Sequence, residues 1–277
     1  MATVATQARS DRPVTDEAPH LRGNWSGDRI AIAALVALLP PLAAALYERG
    51  AAPLSPIVLS AVVVVGWQAL FAWWRRRHLS ADGFVTALVF TLMLPPDAPA
   101  WQLIVALSFG VVVGQQIFGG RGRNFVDPAV VALAFLVFSF PGAGYEAGGP
   151  GLALASLPGA LFLVVTGLIS WRILAAAAVG FVAGAYLLGV EDPLAQLIVG
   201  SFVFGVVFLA CEPVAAASTN PGRWLYGLIV GGLTILGRTG GAGDGTVFAV
   251  LLASVFAPLI DQAVVSVNVW RRRRRHG

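Results

Sequence analysis

A polar turn between two apolar segments holds the residues whose types and spacing are best suited to chemistry. In chain order it contains Gln115, Gln116, Gly119, Gly120, Gly122, Asn124 and Asp127. Glycine allows the backbone to adopt positive φ and to approach a ligand closely. Asp127 before Pro128 is also typical of a helix N-cap, but a cap explains none of the other polar residues. Amide side chains beside the start of a helix suit an anion or a planar heterocycle with imide edges.

Two further carboxyl groups lie close to apolar segments. Glu212 directly follows an apolar run, and Asp261 lies well inside the last apolar segment. A carboxyl group at membrane depth is costly, so each is a candidate for handling a proton or a cation. For Glu212, exposure at the level of the lipid headgroups is an equally good interpretation. The single cysteine, Cys211, and three histidines in tails or loops predict no metal site.

The composition identifies the class of protein. Of the 277 residues, 57% are hydrophobic and 12% are charged, whereas an ordinary soluble domain is about half apolar and about a quarter charged. This composition excludes a soluble enzyme and a nucleic-acid-binding protein, and it predicts an all-α polytopic protein in the lipid bilayer. The sequence also lacks the glycine patterns of a P-loop or a dinucleotide-binding strand–helix turn.

Ten apolar segments predict about ten transmembrane helices. They cover residues 29–47, 54–74, 82–95, 100–118, 128–141, 151–170, 172–189, 193–211, 223–237 and 246–270. A helix needs about 20 residues to cross the hydrocarbon core. The third, fifth and ninth segments are shorter, which predicts tilted, broken or re-entrant helices. The chain thus divides into a flexible cytoplasmic tail (1–28), one transmembrane domain (29–270) and a basic cytoplasmic tail (271–277).

The distribution of arginines predicts the orientation in the membrane. If all ten segments cross and the amino terminus is cytoplasmic, every arginine except Arg49 and Arg238 lies on the cytoplasmic side. This bias follows the positive-inside rule, so we expect both termini in the cytoplasm. Tryptophans also concentrate at the predicted cytoplasmic edges, as in an aromatic belt. They are Trp73, Trp74, Trp171, Trp224 and Trp270.

A short internal similarity suggests a repeat. Gln102-Leu-Ile-Val recurs as Gln196-Leu-Ile-Val, and Gly110-Val-Val recurs as Gly205-Val-Val. Each match leads into a polar, proline-containing turn and a further apolar segment. Repeats related by a pseudo-two-fold axis are common in transporter-like folds. Short apolar matches also arise by chance, so duplication and coincidence both remain open.

The chain has two polar turns, the glycine-rich turn at residues 115–128 and a second polar turn at residues 211–224. These turns and their flanking segments resemble a known family of membrane proteins. The resemblance covers residues 82–96, 114–129, 134–136, 210–227, 244–245 and 256–261, in the family's order. Its most specific part is the glycine–asparagine–proline stretch from Gly114 to Ala129. On these residues the chain is identified as a divergent member of the family that comprises the membrane subunits termed B in sodium-translocating NADH:quinone oxidoreductases and D in Rnf-type electron transport complexes.

The resemblance implies a ten-helix fold similar to that of urea and ammonium channels. It implies membership of a complex in the bacterial inner (plasma) membrane, which moves electrons through flavins and couples this transfer to sodium or proton movement. The partners would be other membrane and redox subunits, with quinone as an expected acceptor. In the family, a glycine-rich turn with two amide residues three apart lies beside a cytoplasmic-side riboflavin. Asn124 matches the first amide, and Asp127 places a carboxyl group at the second.

The chain also departs from the family pattern. The family's outer loop after the fifth segment carries a Ser/Thr-Gly-Ala-Thr motif, whose threonine holds FMN through a phosphoester. Residues 141–151 of this chain contain neither serine nor threonine, so we expect no covalent FMN attachment. Glu212 stands where the family usually has aspartate. The expected cofactor is therefore riboflavin or FMN held without a covalent bond.

Three functions are compatible with these features. The leading hypothesis is an electron-transfer subunit that has no turnover alone, in which the polar turn orients a flavin and Glu212 and Asp261 handle protons or cations. The alternative is a channel or transporter for a small polar solute or ion on the same fold. A third interpretation is a structural subunit that retains the fold without a cofactor.

Overall fold

The chain folds into a bundle of helices. The computed structural model describes residues 27–76, 79–95, 98–140, 149–241 and 245–276, and within these ranges all regular structure is helical. The helices are α1 (Gly27–Arg49), α2 (Leu54–Arg75), α3 (Asp82–Leu92), α4 (Ala100–Val111), α5 (Pro128–Ser139), α6 (Pro150–Val165), α7 (Trp171–Leu187), α8 (Ala195–Ile198), α9 (Phe202–Gly205), α10 (Asn220–Thr239) and α11 (Thr246–His276). Two π-helical segments, Val112–Gln116 and Val206–Ala210, continue α4 and α9.

Each apolar segment of the sequence coincides with one helix or with a broken helical element. Among the described residues, three helices are long and apolar enough to cross a membrane by themselves, namely α1, α2 and Thr246–Arg272 of α11. The helices α3 to α7 are apolar but shorter. The prediction of an all-helical polytopic membrane protein with some short helices is therefore confirmed.

Two details of the predicted segments differ from the structure. The ninth segment is not short, because the helix begins at Asn220 after an N-cap at Thr219, whose side chain accepts from the N–H of Gly222. Pro221 in the first turn is compatible with a helix because its missing N–H would have no partner there. The eighth segment is the broken one. Gly200, at φ +76°, separates α8 from α9.

Glycines allow the closest helix pairs to form. In α10, a Cβ on Gly227 would lie 2.6 Å from the carbonyl oxygen of Ile173, so α7 and α10 pack with their backbones in contact. In α4, a Cβ on Gly110 would lie 2.5 Å from the carbonyl oxygen of Pro128 at the start of α5. Small residues at such contacts are the usual means by which helices associate in a bilayer. The α4–α5 contact matters most for function, since it fixes both ends of the glycine-rich turn.

The two π-helical segments lie where the sequence repeats itself. Each follows an apolar helix and leads into an irregular turn, and the next helix has a proline in its first turn, at Pro128 or Pro221. A π-helical segment changes the direction of the following side chains and is often found at functional sites. The local geometry is thus repeated at the two polar turns, while the larger pseudo-two-fold repeat stays a prediction.

Candidate cofactor site

Two neighbouring cavities lie against the glycine-rich turn. The first, with about 770 Å³ of space including its mouth, lies between α1, α3, α6 and the second polar turn. Apolar side chains such as Val89, Leu163 and Phe208 form much of its wall. The polar side chains that line it include Asp82, Thr86, Gln115, Arg121, Asn124, Asp127 and Glu212. A flat apolar ring with a polar edge is the kind of ligand that such walls suit.

The second cavity is more polar and is adjacent to the first. It contains about 610 Å³ of space between the end of α2, the start of α3 and the glycine-rich turn. Its lining includes Gln68, Arg75, Gln116 and Gly119. Three residues, Asp82, Gln115 and Arg121, line both cavities. We call this second space the polar cavity.

A buried hydrogen-bond cluster forms the wall between the cavities. The Gln115 amide Nε2 donates to Asp82 Oδ2 at 2.6 Å, which is the short contact in the cluster. The Gln68 Nε2 makes longer contacts with Asp82 Oδ2 at 3.5 Å and with Gln115 Oε1 at 3.4 Å. All three side chains are buried. Gly83 provides the space for this arrangement, since a Cβ there would lie 2.9 Å from the Gln68 Cδ.

Three polar atoms in this cluster, or in the adjacent Arg121, are buried without a hydrogen-bond partner. They are Gln68 Oε1, Asp82 Oδ1 and Arg121 Nη1. Arg121 Nη1 and Asp82 Oδ1 approach each other only to 4.0 Å. A buried polar atom without a partner costs free energy, so each such atom requires an explanation.

The chemistry of the unpartnered atoms fits a flavin. Two of them accept hydrogen bonds and one donates. The imide edge of a flavin has one N–H donor between two carbonyl acceptors, so it would satisfy one of the two acceptors and the one donor, and a hydroxyl group of the flavin side chain would satisfy the other acceptor. The apolar wall of the first cavity suits the flat ring, and the unpartnered atoms suit the polar parts of the molecule.

The glycine-rich turn has the predicted backbone and is held by its own side chains. Gly119, Gly120 and Gly122 have φ of +109°, +92° and +82°, which confirms the prediction of positive φ. Asn124 Nδ2 donates to the carbonyl of Val126 at 3.0 Å, and its Oδ1 accepts from the N–H of Gly122 at 3.2 Å. Asn124 therefore shapes the turn from within while it also lines the first cavity.

Asp127 caps α5 as the sequence predicts. Its Oδ1 accepts from the N–H of Ala129 at 2.6 Å, and Pro128 occupies the first helical position. The same side chain lines the first cavity. The cap and the cavity contact are therefore not alternatives, because one carboxyl group does both.

The structure brings most of the predicted site residues together. Gln115, Asn124 and Asp127 face the first cavity, whereas Gln116, Gly119 and Gly120 face the polar cavity. Gly122 is exposed and lines neither cavity, so its contribution is to the backbone of the turn.

The second polar turn contributes Glu212 to the first cavity. Its Oε2 accepts from the N–H groups of Val214 and Ala215 at 2.8 and 2.7 Å, which fixes the carboxyl group against the cavity wall. Desolvation by burial raises its pKa above the ordinary value. Glu212 and the glycine-rich turn thus line the same cavity.

Asp261 has a different environment from Glu212. One carboxylate oxygen accepts from the N–H and Oγ of Ser218 at 2.7 and 2.8 Å. The other accepts from the N–H and the hydroxyl of Thr219. These bonds attach α11 to the turn before α10, and Asp261 lines neither cavity. Its predicted role in ion or proton handling stays a prediction.

Comparison with known proteins identifies the family to which the chain belongs. The sequence model of the "NQR2, RnfD, RnfE family" matches residues 14–147 and 144–269. The chain belongs to this family. It is 34% identical to the subunit termed B of the Na(+)-translocating NADH-quinone reductase of Pseudomonas paraeruginosa, over 94% of this chain and 79% of that protein. The equivalent subunits of Yersinia pestis and Azotobacter vinelandii are each 33% identical, over 82% and 83% of this chain and 70% and 71% of theirs.

The protonation state of Asp127 decides which hydrogen bonds its carboxyl group can make. Burial, with the neighbouring carboxyl of Glu212, raises the pKa of Asp127 to about 7. A protonated carboxyl group carries one O–H donor, as an amide carries N–H donors. Near neutral pH, Asp127 can therefore donate a hydrogen bond, as an amide group would.

Sequence reasoning missed Gln68, Asp82 and Arg121. The sequence favours Asp82 as a simple helix cap, but the residue before it occupies the cap position, and the Asp82 side chain is buried. Gln68 could have revealed this part of the site from the sequence, because it is a polar residue within the apolar segment 54–74. Polar residues in a membrane span usually face a partner or a cavity. Its partner on α3 is a tertiary contact that spacing alone does not reveal.

Two expectations lie outside the described residues. The predicted absence of a covalent FMN attachment concerns residues 141–151, most of which are not described. The predicted flexible tail concerns residues 1–28, of which the structure describes only the last two.

Proposed function

We propose that the chain is a membrane electron-transfer subunit of an ion-translocating oxidoreductase, with a non-covalently bound flavin in the first cavity. The observation that carries the proposal is that Asp82 and Arg121, which line this cavity, each hold a buried polar atom without a hydrogen-bond partner, Asp82 Oδ1 and Arg121 Nη1. The names of the relatives support the setting, since they are subunits of Na(+)-translocating NADH-quinone reductases. We expect this chain to act with other membrane and redox subunits in the bacterial inner membrane, with quinone as an acceptor.

The residues of the site would bind and orient the cofactor. Gln115, held by Asp82, would present its amide group to the polar edge of the ring, while Gln116 would face the neighbouring polar cavity. Asn124 and the glycines would hold the turn close to the ring. The apolar wall would exclude water. A bound flavin supplies the capacity to accept and release electrons, and the protein supplies orientation and electrostatics. Because the chain lacks a second redox centre in this proposal, it has no turnover alone.

Coupling to ion movement would use the carboxyl groups near the site. Glu212 faces the first cavity, and its raised pKa makes it suited to exchanging a proton. Asp261 would act through the turn that it binds, since its two oxygens hold Ser218 and Thr219. The coupled ion, sodium or proton, would be distinguished by flux measurements on the complex.

The proposal is tested by flavin extraction from the purified chain. Flavin released by acid precipitation into the supernatant is expected, because no covalent bond retains it. Gln115→Leu removes the donor to Asp82 and leaves the buried carboxylate less satisfied, so we expect at least a tenfold loss of flavin. Gln102→Leu is the matched control on the same helix, since Gln102 lies at its opposite end.

Two results would contradict the proposal. One is a purified chain without flavin absorbance, even when it is isolated with its partners. The other is equal flavin retention in the Gln115→Leu and wild-type chains. Solute flux through liposomes that contain the chain alone would favour the channel interpretation instead.

A further inference from the structure

We infer that the starts of α7 and α10 form a binding site for an anionic phospholipid of the leaflet that surrounds these helix ends. The inference goes beyond the proposed function and does not depend on a bound flavin. It rests on two neighbouring features. One is a set of side chains that we call the Arg–Trp patch, namely Trp171, Arg172, Arg223 and Trp224. The other is an apolar groove on the outward face of α7.

The tryptophans place the Arg–Trp patch at the membrane surface. The rings of Trp171 and Trp224 meet edge to face with centroids 5.8 Å apart, and the two residues are 52% and 38% exposed. Tryptophan is enriched at the level of the lipid headgroups, because its ring is apolar and its N–H is polar. The exposed ring pair is therefore typical of a site that contacts lipid rather than of a helix contact inside the bundle.

Two guanidinium groups adjoin this ring pair. The Arg172 guanidinium lies over the ring of Trp171, with its central carbon 5.2 Å from the ring centroid. Arg223, next to Trp224, donates from its Nε to the carbonyl of Ala217 at 3.2 Å. This bond orients the side chain and does not use its two terminal nitrogens. A guanidinium group can donate two parallel hydrogen bonds to a phosphate, so both arginines suit a lipid phosphate.

The packing of the two helices adds to the positive potential of the patch. In α10, Gly227 lies against Ile173 of α7. About one turn further along both helices, Gly231 lies against Ala177, so the helices run parallel and their positive ends lie side by side. Ser170 precedes α7 without a side-chain cap hydrogen bond, and its Oγ is buried without a partner. A phosphate oxygen would supply the acceptor that the first turn of α7 does not receive from its N-cap.

The groove continues from the patch along α7. It contains about 730 Å³ of space including its open side, and its lining includes Ala178 and Val182 of α7, Leu194, and Leu197 of α8. Ala178 and Val182 follow Trp171 by seven and eleven residues, so all three lie on one face of the helix. They lie about 10 and about 16 Å along the axis from Trp171. Acyl chains of one leaflet reach a similar depth, since half of the hydrocarbon core is about 15 Å.

Charge and shape together identify the class of ligand. The arginines favour an anionic headgroup, and the groove favours an apolar chain, which a free phosphate would lack. Glu191 and Asp192 lie in the turn after α7, so an anionic headgroup is disfavoured at the opposite end of the groove. Asp261 lies near the start of α10, but Ser218 and Thr219 donate to its two oxygens, which reduces its repulsion of an anion.

The test measures lipid binding to the purified full chain in detergent by native mass spectrometry. Anionic phosphatidylglycerol is compared with zwitterionic phosphatidylcholine that has the same acyl chains. We expect phosphatidylglycerol to bind about tenfold or more tightly, and this preference should fall to about twofold or less in Arg172→Gln/Arg223→Gln. The matched control is Arg271→Gln/Arg272→Gln, which removes the same charge from exposed residues of α11. It should keep a preference of about fivefold or more.

Two further measurements test the groove. Ala178→Phe places a ring in the groove, so binding of both lipids should weaken about fivefold or more. Unchanged binding by this variant would overturn the assignment of the groove. Glycerol phosphate carries the charge without the acyl chains, so it should not displace phosphatidylglycerol at equal concentration. Displacement would show that the patch binds a free anion and would overturn the inference.

The remaining outcomes separate the patch from other sources of lipid binding. An unchanged preference in Arg172→Gln/Arg223→Gln, or an equal loss in the α11 control, would overturn the inference. The chain is also isolated with its partner subunits, where the lipid that depends on the two arginines should remain bound. Its absence there would assign the patch to a protein partner and overturn the inference as well. None of these results bears on the proposed flavin site.

Discussion

At the scale of single residues, the site depends on how a buried carboxyl group is satisfied. Asp82 receives one short hydrogen bond, from Gln115, and one long contact from Gln68, while its second oxygen has no hydrogen-bond partner. Hydrogen bonds to charged groups are stronger than those between neutral groups, but a buried charge with an unpartnered oxygen remains costly. A ligand that donates a hydrogen bond to this oxygen would remove the cost of leaving it unpartnered. The free energy recovered in this way would add to the binding energy of the ligand.

We expect Asp127 to make the proposed flavin binding dependent on pH. Its raised pKa means that the carboxyl group gains a proton near neutrality, and a bound ring would remove more water and favour the neutral form further. We therefore expect flavin binding to be coupled to proton uptake, so that the affinity for flavin falls as pH rises through about 7. Titrations of flavin fluorescence at several pH values measure this dependence.

The control for this pH dependence is Asp127→Asn. Asparagine keeps a cap acceptor for α5 and supplies a donor that does not titrate. We expect Asp127→Asn to bind flavin with an affinity that changes little across the same pH range. The other charged groups facing this cavity are Glu212, Asp82 and Arg121. A pH dependence that persists in Asp127→Asn would assign it to one of them instead.

At the scale of helices, the sequence predicts most elements because apolar length and polar turns are local signals. The α1 and α2 helices coincide closely with the predicted segments 29–47 and 54–74. Breaks are less predictable. The division at Gly200 depends on a single positive φ, and the π-helical segments depend on packing that shifts hydrogen bonds by one residue.

The site itself is only partly encoded in local sequence. Spacing groups Gln115, Asn124 and Asp127, because they lie in one turn. It does not reveal that Gln68 of α2 reaches Asp82 and Gln115, since this contact depends on the register between α2 and α3. Spacing also does not reveal the hydrogen bond that the Ser218 N–H donates to Asp261, which joins two distant parts of the chain.

The α4–α5 contact should be sensitive to the smallest increase in volume. Gly110→Ala would place a Cβ 2.5 Å from the Cβ of Ala132 and 2.5 Å from the carbonyl oxygen of Pro128. The helices would have to separate, which typically costs about 1–3 kcal/mol of unfolding free energy. We expect a lower thermal unfolding midpoint in detergent and weaker flavin retention, since this contact supports the glycine-rich turn.

The matched control is Gly66→Ala in α2. A Cβ at Gly66 has no atom within 4 Å, so the substitution adds no clash. Alanine is favoured over glycine in a helix by up to about 1 kcal/mol, so Gly66→Ala should leave the chain equally or more stable. Equal loss of stability in the two variants would show that close α4–α5 packing is not the cause.

At the scale of the whole molecule, the cavities lie near the helix ends that carry arginine and tryptophan. The polar cavity is bounded by the end of α2, where Trp73 and Trp74 are 81% and 75% exposed. Trp171 and Trp224 contact each other with ring centroids 5.8 Å apart, which places the starts of α7 and α10 together. If this face is cytoplasmic, as the arginines predict, a soluble redox partner can approach the cavities from the cytoplasm.

Site-directed labelling tests this orientation in intact cells. Glu191→Cys lies in the turn after α7, which we expect outside, and Arg272→Cys lies near the end of α11, which we expect inside. A maleimide that does not cross membranes should label Glu191→Cys in intact cells and Arg272→Cys only after permeabilisation. The native Cys211 is 2% exposed, so the unmodified chain should give little background. The reverse pattern would place the cavities on the outer face of the membrane, where cytoplasmic electron donors cannot reach them. Labelling of both sites in intact cells would place both on the outer side, and it would contradict the three crossings that we predict between them.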